Sequence, residues 1–102
     1  SLGVLQAELD ATKAKVLQAK KSRQPTDELE MRADMLQSGI DMLQLKVDMG
    51  TLTPEQYVAL VRGAIVKEKQ LAKELNHAGQ KPAALDCMRR VKIMEKELAE
   101  ME

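Results

Sequence analysis

Between Thr26 and Met49 the apolar residues fall into two stripes. Leu29, Ala33, Leu36, Ile40, Leu43 and Val47 advance by alternate steps of four and three, the spacing of an apolar heptad seam. Met31, Met35, Ser38, Met42, Leu45 and Met49 follow the same rhythm two places later. At about 100° per residue, the two stripes lie on nearly opposite sides of one helix. Asp27, Asp34, Asp41 and Asp48 recur every seventh residue along one edge between them, and Arg32 and Lys46 lie on the other. A helix that is apolar on two sides calls for two neighbours.

The remaining elements are set by punctuation. Pro25-Thr26-Asp27-Glu28 reads as a helix start, with Thr26 or Asp27 as the capping residue. Gly50 stops that helix. Thr53-Pro54-Glu55-Gln56 is the clearest start signal, combining a capping Thr, Pro at the first helical position and Gln three residues after the cap. Asn76-His77-Ala78-Gly79 closes the third helix and Lys81-Pro82 opens the last. Helices are expected near 3–23, 26–49, 54–78 and 82–102, which makes the fold class all-α.

Short connections turn consecutive helices antiparallel. Folding about residues 51–52 brings Ser38-Gly39 level with Gly63-Ala64, where a glycine in mid-helix, costing about 1 kcal/mol relative to alanine, suggests a close crossing of backbones. Folding about Gly79 pairs Leu75 with Ala84, Leu71 with Met88, Ile65 with Met94 and Val61 with Leu98. The last helix carries its own seam in Cys87, Val91, Met94, Leu98 and Met101. These features predict an antiparallel helical bundle over 25–102. A separate, basic amphipathic helix occupies 1–24. Its seam of Leu2, Leu5, Leu9, Thr12, Val16 and Ala19 thins along its length, and Lys13, Lys15, Lys20, Lys21 and Arg23 crowd its second half. It docks as a fourth helix or extends as a coiled coil, and the thin seam favours the extended, intermolecular arrangement.

Composition narrows the chemistry. The chain has 102 residues, no Trp or Phe, one Tyr and seven Met, with sixteen basic and sixteen acidic residues. A neutral balance argues against nucleic acid, which attracts a basic excess. No apolar run approaches the roughly 20 residues of a membrane span. A single cysteine, Cys87, points to a reducing, cytoplasmic setting, and the Ser-Leu-Gly start to a fragment of a larger protein. His77 and Cys87 are too few to hold zinc, which needs about four ligands, or three at a catalytic site. Neither an enzyme nor a cofactor is expected. Tyr57-Val58-Ala59-Leu60 spells a tyrosine sorting pattern, but it falls at a helix start, whereas such motifs are read extended.

Tyr57-Val58-Ala59-Leu60, Lys67-Glu68-Lys69-Gln70-Leu71-Ala72, Gly79-Gln80-Lys81-Pro82-Ala83-Ala84-Leu85 and Met88-Arg89-Arg90-Val91-Lys92 together form an Ala/Lys-rich hairpin motif. Over residues 57–92 it resembles the DM14 repeats of the coiled-coil and C2-domain (lethal-giant-discs) proteins, which bind charged helices of the membrane-remodelling ESCRT-III machinery. The chain holds one copy, with Gln80-Lys81-Pro82 where those repeats carry Gly-Asp. The resemblance implies a contact set of Lys67, Lys69, Lys73, Arg89, Arg90 and Lys92, and a place in membrane trafficking.

The sequence therefore predicts a helical scaffold module with helical protein partners, self-association included. Its interaction face comprises Met31, Met35, Met42, Leu45 and Met49, with Leu5, Leu9 and Val16 from the first helix. The ladder Asp27, Asp34, Asp41 and Asp48 supplies charged contacts. The alternative is a membrane-peripheral module that sets the basic first helix on anionic lipid.

Overall fold

A computed structural model describes residues 1–101. Among the described residues there are four α-helices and no strand: α1 (Leu2–Lys21), α2 (Asp27–Asp48), α3 (Pro54–His77) and α4 (Lys81–Met101). Each bound falls within two residues of its expected position where it can be compared; the end expected at 102 lies outside the described residues.

Three of the helix ends show why the chain turns where it does. At the start of α3 the Thr53 hydroxyl accepts from Gln56 N at 3.1 Å while Thr53 N donates to Gln56 Oε1 at 2.9 Å, so the expected capping box is complete. After α3, Gly79 takes φ +77°, and Gln80 N donates to Leu75 O at 2.9 Å, which closes the helix with a left-handed residue. The same 6→1 closure follows α1, where Gln24 N donates to Ala19 O at 2.8 Å, but there the left-handed residue is Arg23 at φ 55°. Thr26 differs from expectation. It occupies the cap of α2 but makes no side-chain cap hydrogen bond, because its φ −117°, ψ −1° already turns the backbone towards the helix.

The helices pair as α1 with α2 and α3 with α4, and the chain divides into compact units at Leu2–Thr51 and from Leu52 onward. The division thus falls in the α2–α3 turn rather than at 24/25. The extended first helix is not found. α1 lays its seam along α2, and Leu9, Thr12 and Ala19 are all buried there. Thr12 can be buried in this seam because its hydroxyl donates to Glu8 O at 2.8 Å. Gly39 shares in this packing, since a Cβ there would lie 3.8 Å from Leu5 Cδ1. A Cβ at Gly63 would meet nothing within 4 Å.

In the second hairpin Tyr57, Val61, Ile65 and Ala72 of α3 meet Ala84, Cys87, Val91 and Met94 of α4. Glu68 faces Arg90, within one residue of the expected register, whereas Tyr57 Oη reaches back to donate to Glu97 Oε1 at 2.7 Å, five residues short of it. The buried alanines, Ala72 and Ala84, sit near the Gly79 turn, and the larger Tyr57 and Met94 lie towards the open end. Leu71 and Met88, expected to pair, both lie exposed on its outside. Being on neighbouring positions to Ala72 and Cys87, they are turned off the seam by about 100°.

Candidate functional site

α2 is the element on which both stripes can be located. Its Leu29–Ala33–Leu36–Ile40–Leu43 stripe is half-buried, and none of the residues of α2 is fully buried. The second stripe is open to solvent. Met31, Met35, Met42, Leu45 and Met49 are all exposed, Met35 to 70% and Met49 to 68%. A furrow lined by Leu5, Glu28, Met31, Arg32, Met35 and Leu36 runs between this stripe and α1. A second one, lined by Lys13, Val16, Leu17, Glu30, Ala33 and Asp34, follows the other side of the same hairpin.

The edges of the methionine face are charged as the spacing implied. Asp27, Asp34, Asp41 and Asp48 are exposed along one side. Gln37 and Gln44 each donate to the aspartate one turn on, Asp41 and Asp48, at 2.9 Å, which orients those two carboxylates. On the other side Arg32 reaches Glu8 of α1 at 4.0 Å, with its side chain still 60% exposed.

The first-helix residues assigned to the interaction face take a different place. Leu9 is only 2% exposed, and Leu5 and Val16 are half-buried. They form the internal seam of the hairpin, because their four- and three-residue steps face α2. Of the basic set, Lys67, Lys69, Lys73, Arg89 and Lys92 are exposed, with Lys69 3.8 Å from Glu95 and Arg89 paired to Asp86. Arg90 departs from the set. Its Nε donates to Glu68 Oε1 at 3.0 Å and its Nη2 to Glu68 Oε2 at 3.1 Å, and Nη2 also lies 3.2 Å from Cys87 Sγ.

That Glu68–Arg90–Cys87 cluster was not anticipated from the sequence. Its signal was a glutamate at a seam position, between Ile65 and Ala72, with an arginine at matching height on the returning helix. Burial raises the Glu68 carboxyl, but hydrogen bonds from Arg90 and Cys87, with the Arg90 charge, outweigh it and hold it below its ordinary 4.5. Burial pushes the Cys87 thiol above its ordinary 9.0, and the neighbouring Glu68 pushes the same way. At 1% exposed, Cys87 packs as a core thiol of the α3–α4 hairpin. His77 is exposed at the end of α3, and no group of three His, Cys, Asp or Glu residues able to hold a metal occurs among the described residues. Tyr57 is buried within the α3–α4 hairpin, out of reach of a receptor that reads extended chain.

No helix is long and apolar enough, among the described residues, to cross a membrane. Comparison with protein-family models, with curated proteins and with solved structures finds no match to this chain.

Proposed function

We propose that this chain is a non-enzymatic helical interaction module, a scaffold that assembles through the outer face of α2. One observation carries the reading. Five large apolar side chains stay exposed on a single face, while the opposite stripe of the same helix is committed to α1. Burying a Met or Leu side chain completely is worth roughly 1.5–3 kcal/mol, so a helical partner laid along this face recovers several such contributions. Methionine suits the role because its unbranched, polarisable side chain repacks to fit the surface it meets. The aspartate ladder and the basic residues opposite it bias which partner fits and in which register.

The two faces make separable demands. Leu36→Asp puts a carboxylate into the α1–α2 seam and should abolish the helicity of that hairpin. Met42→Asp should leave circular dichroism unchanged and abolish concentration-dependent assembly measured by light scattering. If Met42→Asp cost as much helicity as Leu36→Asp, the outer face would be structural and the reading would fail.

A membrane-peripheral role is the second reading, supported by the exposure of Lys13, Lys15, Lys20 and Lys21 on α1 and of Arg23 just after it. Sedimentation with vesicles rich in anionic lipid decides it: pelleting that requires the acidic lipid supports it, and its absence removes it.

A further inference from the structure

The geometry points to a second copy of this chain as the occupant of the methionine face, its α2 lying parallel and in register with the first. This rests on the scaffold reading and adds the partner and its direction. Its basis is the charge pattern around the seam. Met31, Ser38 and Leu45 follow the d positions of a heptad and Met35, Met42 and Met49 the a positions. Asp27, Asp34, Asp41 and Asp48 then all fall at g, and Arg32, Gly39 and Lys46 all fall at e.

The two possible directions of pairing treat those edges oppositely. Parallel strands set each g residue beside the e residue of the following heptad on the partner. Asp27 then meets Arg32 of the second copy and Asp41 meets Lys46, while Asp34 meets the uncharged Gly39. By symmetry each contact occurs twice. Antiparallel strands set g beside g and e beside e, which lines aspartate against aspartate and base against base. Only the parallel arrangement makes the two edges self-complementary; it also sets Glu28, the a residue seven before Met35, beside its own copy at the helix start, a repulsion that falls outside the Met31–Met49 seam.

Two further features agree. Ser38 is the one polar residue of the stripe between Met31 and Met49, and in-register parallel pairing places it against itself, so each hydroxyl has the other as a partner. A shift by one heptad would set it against Met31 or Leu45 and leave it unmatched. The seam is short, about 27 Å at 1.5 Å per residue. Yet α2 is already folded on α1, so pairing does not have to order the helix. Arg32 is within reach of Glu8 only at 4.0 Å and is 60% exposed, which leaves its guanidinium able to turn to a second copy.

The test uses the whole chain and sedimentation equilibrium. Asp41→Lys turns two symmetric attractions into repulsions and should weaken self-association by about tenfold. Lys46→Asp should do the same, and the two together should restore it, since the attraction is merely reversed in sign. Ser38→Cys should form a covalent dimer on mild oxidation, whereas Gln37→Cys, off the seam, should not; Cys87 stays out of the way in the core. Tighter association in Asp41→Lys, or equal cross-linking of the two cysteine variants, would overturn parallel pairing and leave the scaffold reading standing. A chain that stays monomeric at hundreds of micromolar, with Met42→Asp still fully folded, would overturn the second copy as occupant. Loss of helicity in Met42→Asp equal to that in Leu36→Asp would remove the underlying reading as well.

Discussion

Replacing Arg90 by alanine should destabilise the α3–α4 hairpin by about 2 kcal/mol, the contribution of a charge-assisted hydrogen-bonded group. The figure follows from where the Glu68–Arg90 pair sits. Its side chains are 23% and 28% exposed respectively, between the surface pairs and the enclosed ones. Exposed pairs contribute about 0–1 kcal/mol, while breaking a fully buried pair costs about 3–5 kcal/mol because an unpaired charge is left behind. Two parallel N–H···O bonds give the pair good geometry, and the residual solvent access lets the abandoned Glu68 recover some hydration. Arg90→Ala with Glu68→Ala removes both charges, so the double variant should be less destabilised than the sum of the singles, with a coupling of about 1 kcal/mol. Acid supplies a second handle. Because the folded-state Glu68 is held below 4.5, its contribution is fully present above that value and is lost as the pH falls through the lowered one. Urea unfolding followed by circular dichroism should therefore show the native chain losing more stability than Glu68→Gln as the pH drops below 4.5. Strictly additive single effects, or identical acid profiles for the native chain and Glu68→Gln, would mean that the pair adds no coupled stability.

Three other variants test the local readings. Leu9→Ala empties a site that is 2% exposed in a hairpin of modest size; it should cost about 2–5 kcal/mol and be read as loss of the α1–α2 share of the helical signal on mild heating. Arg23→Gly relieves a left-handed residue at φ 55° and should raise the urea midpoint, with a gain of about 1 kcal/mol less glycine's added chain entropy. Thr53→Ala removes a bonded cap and should cost about 1 kcal/mol, whereas Thr26→Ala, which loses no cap bond, should leave the midpoint unchanged.

The helix bounds were legible because the chain announces them chemically. Thr53-Pro54 with Gln56, Gly50 and Gly79 each perform the task their residue type implies. The seam of α4 was legible for a similar reason: Cys87, Val91 and Met94 are all buried at the spacing of three and four. Pairing was harder to read. Leu9 shares its stripe with Thr12 and Ala19, which add little apolar volume and yet are buried with it in the hairpin. Thr26 is a good capping residue by type, but its backbone does not place the hydroxyl where the cap needs it. Arg90 sits in a basic run of the sequence and faces the seam, because Glu68 opposite gives it a reason to do so.

The two hairpins handle polar groups in different ways, and the difference bears on α2. In the α3–α4 pair, direction and register are fixed from within by Tyr57 on Glu97 and Arg90 on Glu68. Those bonds have one geometry and would be lost in any slipped pairing. The outer face of α2 has no comparable device among its large side chains, for methionine adapts to almost any apolar surface and so specifies little. Discrimination on such a face has to come from its borders. Acids repeat along one border at the heptad interval, and bases occupy the other without intermixing. A merely solvated helix gains nothing from sorting its charges this way, since scattered signs keep it equally soluble and add favourable pairs within the helix. Edges sorted in this way favour one direction for a helix laid between them, and that preference is what the proposed pairing uses.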